Sequence, residues 1–157
     1  MNKKIIYLFL ALLLPVLVFV FLKLFGKNHF DIPVYYSDGV KEVPADCNLP
    51  ADGQYSISKD QLSKAGWGGS SGVLINDSLV TDVAEIQKIS ANIGVRFELV
   101  SVKDWTRADK KCILLLKNPW NVVLIDEQRR IRGYYKTGNR EEMDRLEVEL
   151  KILLKKY

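Results

Sequence analysis

Histidine occurs once in this 157-residue chain, at His29, and cysteine twice, at Cys47 and Cys112. Copper(I) and other soft metals bind through thiolate, thioether or imidazole, so donors for such a site are few and widely spaced. The body of the chain also lacks an excess of basic charge. Four lysines fall within residues 1–27, where there is no acid, and they account for the whole formal net charge of +4. The remainder is balanced, which sets aside nucleic acid as a partner. A phosphate cradle is missing too. The glycine-rich run Gly66-Trp67-Gly68-Gly69-Ser70-Ser71-Gly72 leads into a strand, whereas a P-loop opens a helix and supplies a Lys-Ser/Thr pair.

What the sequence does have is a long apolar run. Residues 5–22 contain no charge and no polar side chain beyond Tyr7, and Leu24 and Phe25 extend the run past Lys23. At about 1.5 Å per residue this reaches across most of a bilayer, and Pro15 is tolerable in lipid. A cleaved signal peptide has a shorter apolar stretch and a small-x-small cleavage site. The expectation is therefore an uncleaved membrane anchor over residues 1–26, with residues 5–25 in contact with lipid. Lys3 and Lys4 balance Lys23 and Lys27, so the flanks leave the orientation open.

Residues 27–58 carry Pro33, Pro44, Pro50, Gly39 and Gly53 without clear periodicity, which reads as a tether. The domain is expected over 59–157. A short apolar strand at 73–76 precedes a helix whose Val83, Ile86, Ile89 and Ile93 recur at helical spacing; Thr81 or Asp82 caps it and Gly94 ends it. Val95, Phe97 and Leu99 alternate as a second strand, and Asp104 opens a further helix before Pro119. Residues 122–126 and 131–135 then form a hairpin. The last helix is capped by Asn139 and buries Met143, Leu146, Leu150, Leu153 and Tyr157. Strand–helix–strand within about 30 residues is a β-α-β unit with parallel strands. The order β-α-β-α-β-β-α predicts an α/β domain with a thioredoxin-like mixed sheet behind an N-terminal transmembrane helix. Pro119 lies near where such folds often place a cis-proline.

Cys112 leads into Ile113-Leu114-Leu115-Leu116 and reads most simply as a small buried apolar residue. Cys47 reads as an incidental linker residue, or as half of a disulfide or a functional thiol. His29 would need ligand partners from the tether, where Cys47 is the sole candidate. The acids Asp77, Asp82 and Glu85 read as helix caps before they read as an acid–base pair.

The hairpin text Val122-Val123-Leu124-Ile125-Asp126, followed by Ile131-Arg132-Gly133-Tyr134-Tyr135 and the final helix, resembles the closing hairpin of the Sco/SenC family. These are membrane-anchored thioredoxin-fold proteins that deliver copper to respiratory oxidases. The resemblance implies a single-pass membrane protein with its domain on the extracytoplasmic side. The family holds copper with a Cys-x-x-x-Cys pair and a distant histidine. At the matching strand–helix junction this chain has Asp77 and Thr81, and before the hairpin it has Pro119 and Trp120. Asp77 and Thr81 offer hard oxygens in place of soft donors. A helix start stabilises a thiolate, but here there is no sulfur to stabilise, which also argues against a peroxidase.

The expected function is thus a non-enzymatic accessory factor with a degenerate copper and redox site, no cofactor, and a protein partner. The alternative expectation is a copper-binding or thiol-redox protein that uses Cys47 and Cys112.

Overall fold

A computed structural model describes residues 3–25, 31–49, 52–75, 80–93 and 97–154. Residues 1–30 and 31–157 are separate compact units. The first unit contains α1 (Lys3–Phe25), with Pro15 inside the helix. Among the described residues no helix is long and apolar enough to cross a membrane. The expected transmembrane anchor is corrected on this point, and the single-pass extracytoplasmic placement goes with it.

The second unit contains α2 (Lys59–Lys64), β1 (Gly72–Ile75), α3 (Val80–Ile93), β2 (Glu98–Ser101), α4 (Arg107–Ile113), β3 (Val122–Ile125), β4 (Ile131–Tyr135) and α5 (Arg140–Leu154). The strands form one sheet in the order β2-β1-β3-β4. β1 pairs parallel with β2, Val73 opposite Leu99. β3 runs antiparallel to both neighbours, with Val73 opposite Leu124 and Val123 opposite Tyr134. The α/β class and the order of elements agree with the sequence. The thioredoxin-like sheet behind a transmembrane helix does not: four strands of four or five residues each are too few to show that architecture, and no helix among the described residues is long and apolar enough to cross a membrane.

β3 lies inside the sheet, and its four residues are fully buried. Because successive side chains point to opposite faces, Val122 and Leu124 pack with Ile86, Ile89, Met143, Leu146 and Leu150 of α3 and α5. Val123 and Ile125 pack on the other side with Tyr55, Ile57, Leu62 and Ile113. The α3 and α5 stripes are those expected from helical spacing; Tyr157 lies outside the described residues. Asn139 caps α5 as expected, its Oδ1 accepting from Glu141 N at 3.1 Å.

The expected tether is largely part of the domain. Ile32, Val40, Tyr55 and Ile57 are buried. Tyr35 N donates to Ile131 O at 2.9 Å and Ile57 N to Arg129 O at 3.0 Å. The first of these bonds covers the start of β4, an edge strand of the sheet that would otherwise present unpaired backbone groups, and the second ties Ile57 to the turn before it. Arg132 of β4 fixes the same segment through Asp31 Oδ1 at 3.2 Å and Ile32 O at 2.5 Å, while its other guanidinium nitrogen meets Asp126 at 3.3 Å. Arg132 and Asp126 are both 4 % exposed, so removing either takes a buried partner from the other, leaving Asp126 with Arg130 at 2.7 Å or Arg132 with Asp31 at 3.2 Å.

Gly133 is required where it stands because the Tyr135 ring lies across it: a Cβ there would come within 2.6 Å of Tyr135 Cζ. Tyr135 is held from its far end by Glu149, which accepts its hydroxyl proton. Gly133→Ala is therefore expected to destabilise the domain by about 1–3 kcal/mol through overpacking, read as a lower midpoint in urea unfolding with an unchanged slope.

Candidate functional site

Only some of the positions singled out in the sequence fall among the described residues. Asp77 and His29 lie outside the described residues, as does the Thr81 side chain, although Thr81 itself is in the first turn of α3. The Glu85 carboxylate accepts from Gly138 N at 2.9 Å. Pro119 follows a cis peptide bond and is exposed, next to the half-buried Trp120. Trp120 N donates to Lys117 O at 3.0 Å, and Asn121 fixes the end of the turn by accepting from Thr137 N at 2.9 Å.

Cys47 and Cys112 are brought together. They form a disulfide across 65 positions, with Cα atoms 5.3 Å apart. Both are half-buried, so Cys112 is not the apolar core residue expected of it. The bond joins the segment over β4 to α4, and Lys111 meets Asp46 beside it at 3.1 Å. Among the described residues no three His, Cys, Asp or Glu side chains gather in metal-binding geometry.

α4 starts later than the sequence indicated. Thr106, not Asp104, is its N-cap, in a capping box with Asp109. The Thr106 hydroxyl and then its backbone N–H hold the Asp109 carboxyl below its ordinary range. The helix ends at Ile113, and Leu115 adopts a left-handed conformation at φ 52°. Such a conformation costs about 1–3 kcal/mol for a residue with a side chain and persists where its surroundings over-determine it. Two buried hydroxyls do so here: Tyr55 donates to Ile113 O at 2.6 Å and Tyr134 to Leu114 O at 2.8 Å. Burial, reinforced by Tyr36, pushes the Tyr55 hydroxyl up to about 12. Tyr134 is raised further, by burial and then by its contact with Tyr36.

This turn forms one wall of a groove of about 410 Å³. Leu115, Leu116 and Lys117 face Tyr36, Val40 and Pro44 across it. A second cleft, of about 520 Å³, shares Lys111, Leu116 and Lys117 and adds Arg107, Lys110 and Trp120. The sequence reading missed these basic residues. Their signal was the i, i+3, i+4 spacing of Arg107, Lys110 and Lys111, which puts three cations on one helix face. The glycine-rich run 66–72 offers no comparable site: Glu98 accepts from Gly68 N, and from the Ser70 hydroxyl at 3.0 Å.

No protein-family model matches the chain, and no curated protein matches it. The Sco/SenC resemblance therefore rests on the amino-acid sequence alone.

The disulfide closes a long loop, and the chain-entropy model assigns such a closure about 4 kcal/mol. Cys47→Ser with Cys112→Ser is expected to lower unfolding stability by about 2–4 kcal/mol, measured by urea denaturation against the oxidised chain. The tyrosines give a pH dependence of definite sign. Tyr55 is near 10 when unfolded and about 12 when folded, so its contribution is complete below pH 10 and is lost as pH rises from there to about 12. Circular dichroism is expected to show alkaline unfolding in that window, and Tyr55→Phe to flatten it.

Proposed function

We propose that this domain is a protein-binding accessory factor of the kind the Sco/SenC resemblance implies, acting in the assembly of a respiratory oxidase without copper or thiol chemistry of its own. What carries the reading is the use of the two cysteines. They are bonded to each other and hold the segment over β4 against α4, beside the groove. Sulfur committed to a structural bond is not a ligand, because a metal takes the free thiolate. The groove walls are fixed by buried hydroxyl–carbonyl bonds and offer shape, apolar surface and charge. Those are the means of recognition rather than of catalysis.

A second reading has one observation in its favour. The disulfide is half-buried rather than sealed in the core, so a reductant could reach it and free two thiols 5.3 Å apart at Cα. In that reading Cys47 and Cys112 bind copper(I) or exchange disulfides.

A Cu(I) competition titration against a chromophoric chelator, on the full chain before and after reduction, separates the two. The accessory reading expects no one-to-one competition in either state. One-to-one binding after reduction, abolished by Cys47→Ser, would overturn it in favour of the second reading.

A further inference from the structure

We infer that the cleft between α4 and the 117–120 turn is the docking surface for an acidic, extended segment of a partner protein that also carries an apolar side chain. This rests on the accessory-factor reading and names the chemistry of the partner.

Charge is the first consideration. Outside residues 1–27 basic and acidic residues balance, yet four cations, Arg107, Lys110, Lys111 and Lys117, line this cleft and no carboxylate does. Concentrating one sign of charge in a concave, partly apolar site focuses its field and attracts the opposite charge. The nearest acid of α4, Asp109, is engaged by Thr106 in the helix cap.

The existing partners of Lys111 and Lys117 are easily exchanged. Lys111 meets Asp46 at 3.1 Å and Lys117 meets Glu42 at 3.5 Å. The two acids are 83 % and 88 % exposed, and exposed pairs of this kind are worth about 0–1 kcal/mol. A partner's carboxylates, which would lose less solvation against the half-buried Trp120 than in a fully dry core, can replace them.

Shape and polarity decide between acidic macromolecules. The cleft shares Lys111, Leu116 and Lys117 with the adjoining groove lined by Tyr36, Val40 and Leu115. A nucleic-acid strand would call for a basic track along its whole backbone with stacking platforms at intervals. Here four cations line one cleft without a carboxylate, while the adjoining groove is mostly apolar surface, with Asp38, Lys41 and Glu42 also in its lining, which suits a peptide with acidic residues and a neighbouring Leu or Phe.

The test is fluorescence anisotropy of the full oxidised chain with a labelled short Glu-rich peptide carrying a central Leu-Phe pair. Binding is expected to weaken with salt, as exposed charges are screened. It is also expected to fall about tenfold on Arg107→Glu with Lys110→Glu. Lys117→Glu, on the loop, gives an independent reading should the α4 variant fail to fold. Trp120→Ala is expected to weaken the peptide with the Leu-Phe pair more than one without it. Lys136→Glu, outside the cleft, matches the charge change of Lys117→Glu and is the control expected to change binding little. The inference is overturned if the peptide does not bind, if Lys136→Glu weakens it as much as the cleft variants, or if a single-stranded oligonucleotide displaces it at equal concentration. No peptide binding together with a blank Cu(I) titration would remove the cleft and leave the accessory reading standing. One-to-one copper binding would remove that reading itself.

Discussion

The burial of β3 on both faces is the constraint on which the domain depends. Val122, Val123, Leu124 and Ile125 have no exposure at all. At roughly 25 cal/mol per Å² of apolar surface, a strand of this composition is stable only if each face has a cover. α3 and α5 supply one cover with their Ile and Leu stripes. On the opposite face α4 is seven residues long and cannot cover the sheet unaided. Residues 31–58 and α2 complete it through Val40, Tyr55, Ile57 and Leu62. A segment with little periodicity thereby becomes part of the core.

Once that segment lies over β4, its polar groups need partners, and the bonds that satisfy them also build the groove. Tyr55 and Tyr134 place their hydroxyls on the carbonyls of Ile113 and Leu114. This compensates burial that would otherwise leave those oxygens and hydroxyls unpaired. The same bonds hold Leu115 in its left-handed conformation and so end α4 early, turning Leu115 and Leu116 toward the groove. The disulfide fixes the segment to α4 from the other side. Core packing, polar satisfaction and the shape of the candidate surface are consequences of one arrangement.

The charges follow a different logic. The buried pair Asp126–Arg132 belongs to the hairpin and locks the covering segment through Asp31 and Ile32. Of the cations of α4 and the 117–120 turn, Lys111 and Lys117 meet exposed acids. The first group is costly to disturb because its members are desolvated. The second can change partners at little cost, as a binding surface requires.

The sequence by itself determined the elements whose information is local. The periodicity of α3 and α5, the Asn139 cap, the alternation of the strands and the charged turn between β3 and β4 all depend on neighbours a few residues away. The terminal apolar run was legible as a helix, though not as a membrane span among the described residues. Other features were decided by contacts between residues far apart in the chain. Cys47 and Cys112 pair because packing brings them within bonding distance, and no spacing rule foretells that. Residues 31–58 fold because a face of β3 needs cover. The strand count and pairing left a small four-stranded α/β sheet in place of the thioredoxin-like one that element order implied. The basic cleft arises where the α4 face meets a turn that follows it in the chain. Helical and strand periods are written in the chain, whereas the meeting of distant surfaces is fixed only when the whole core has packed.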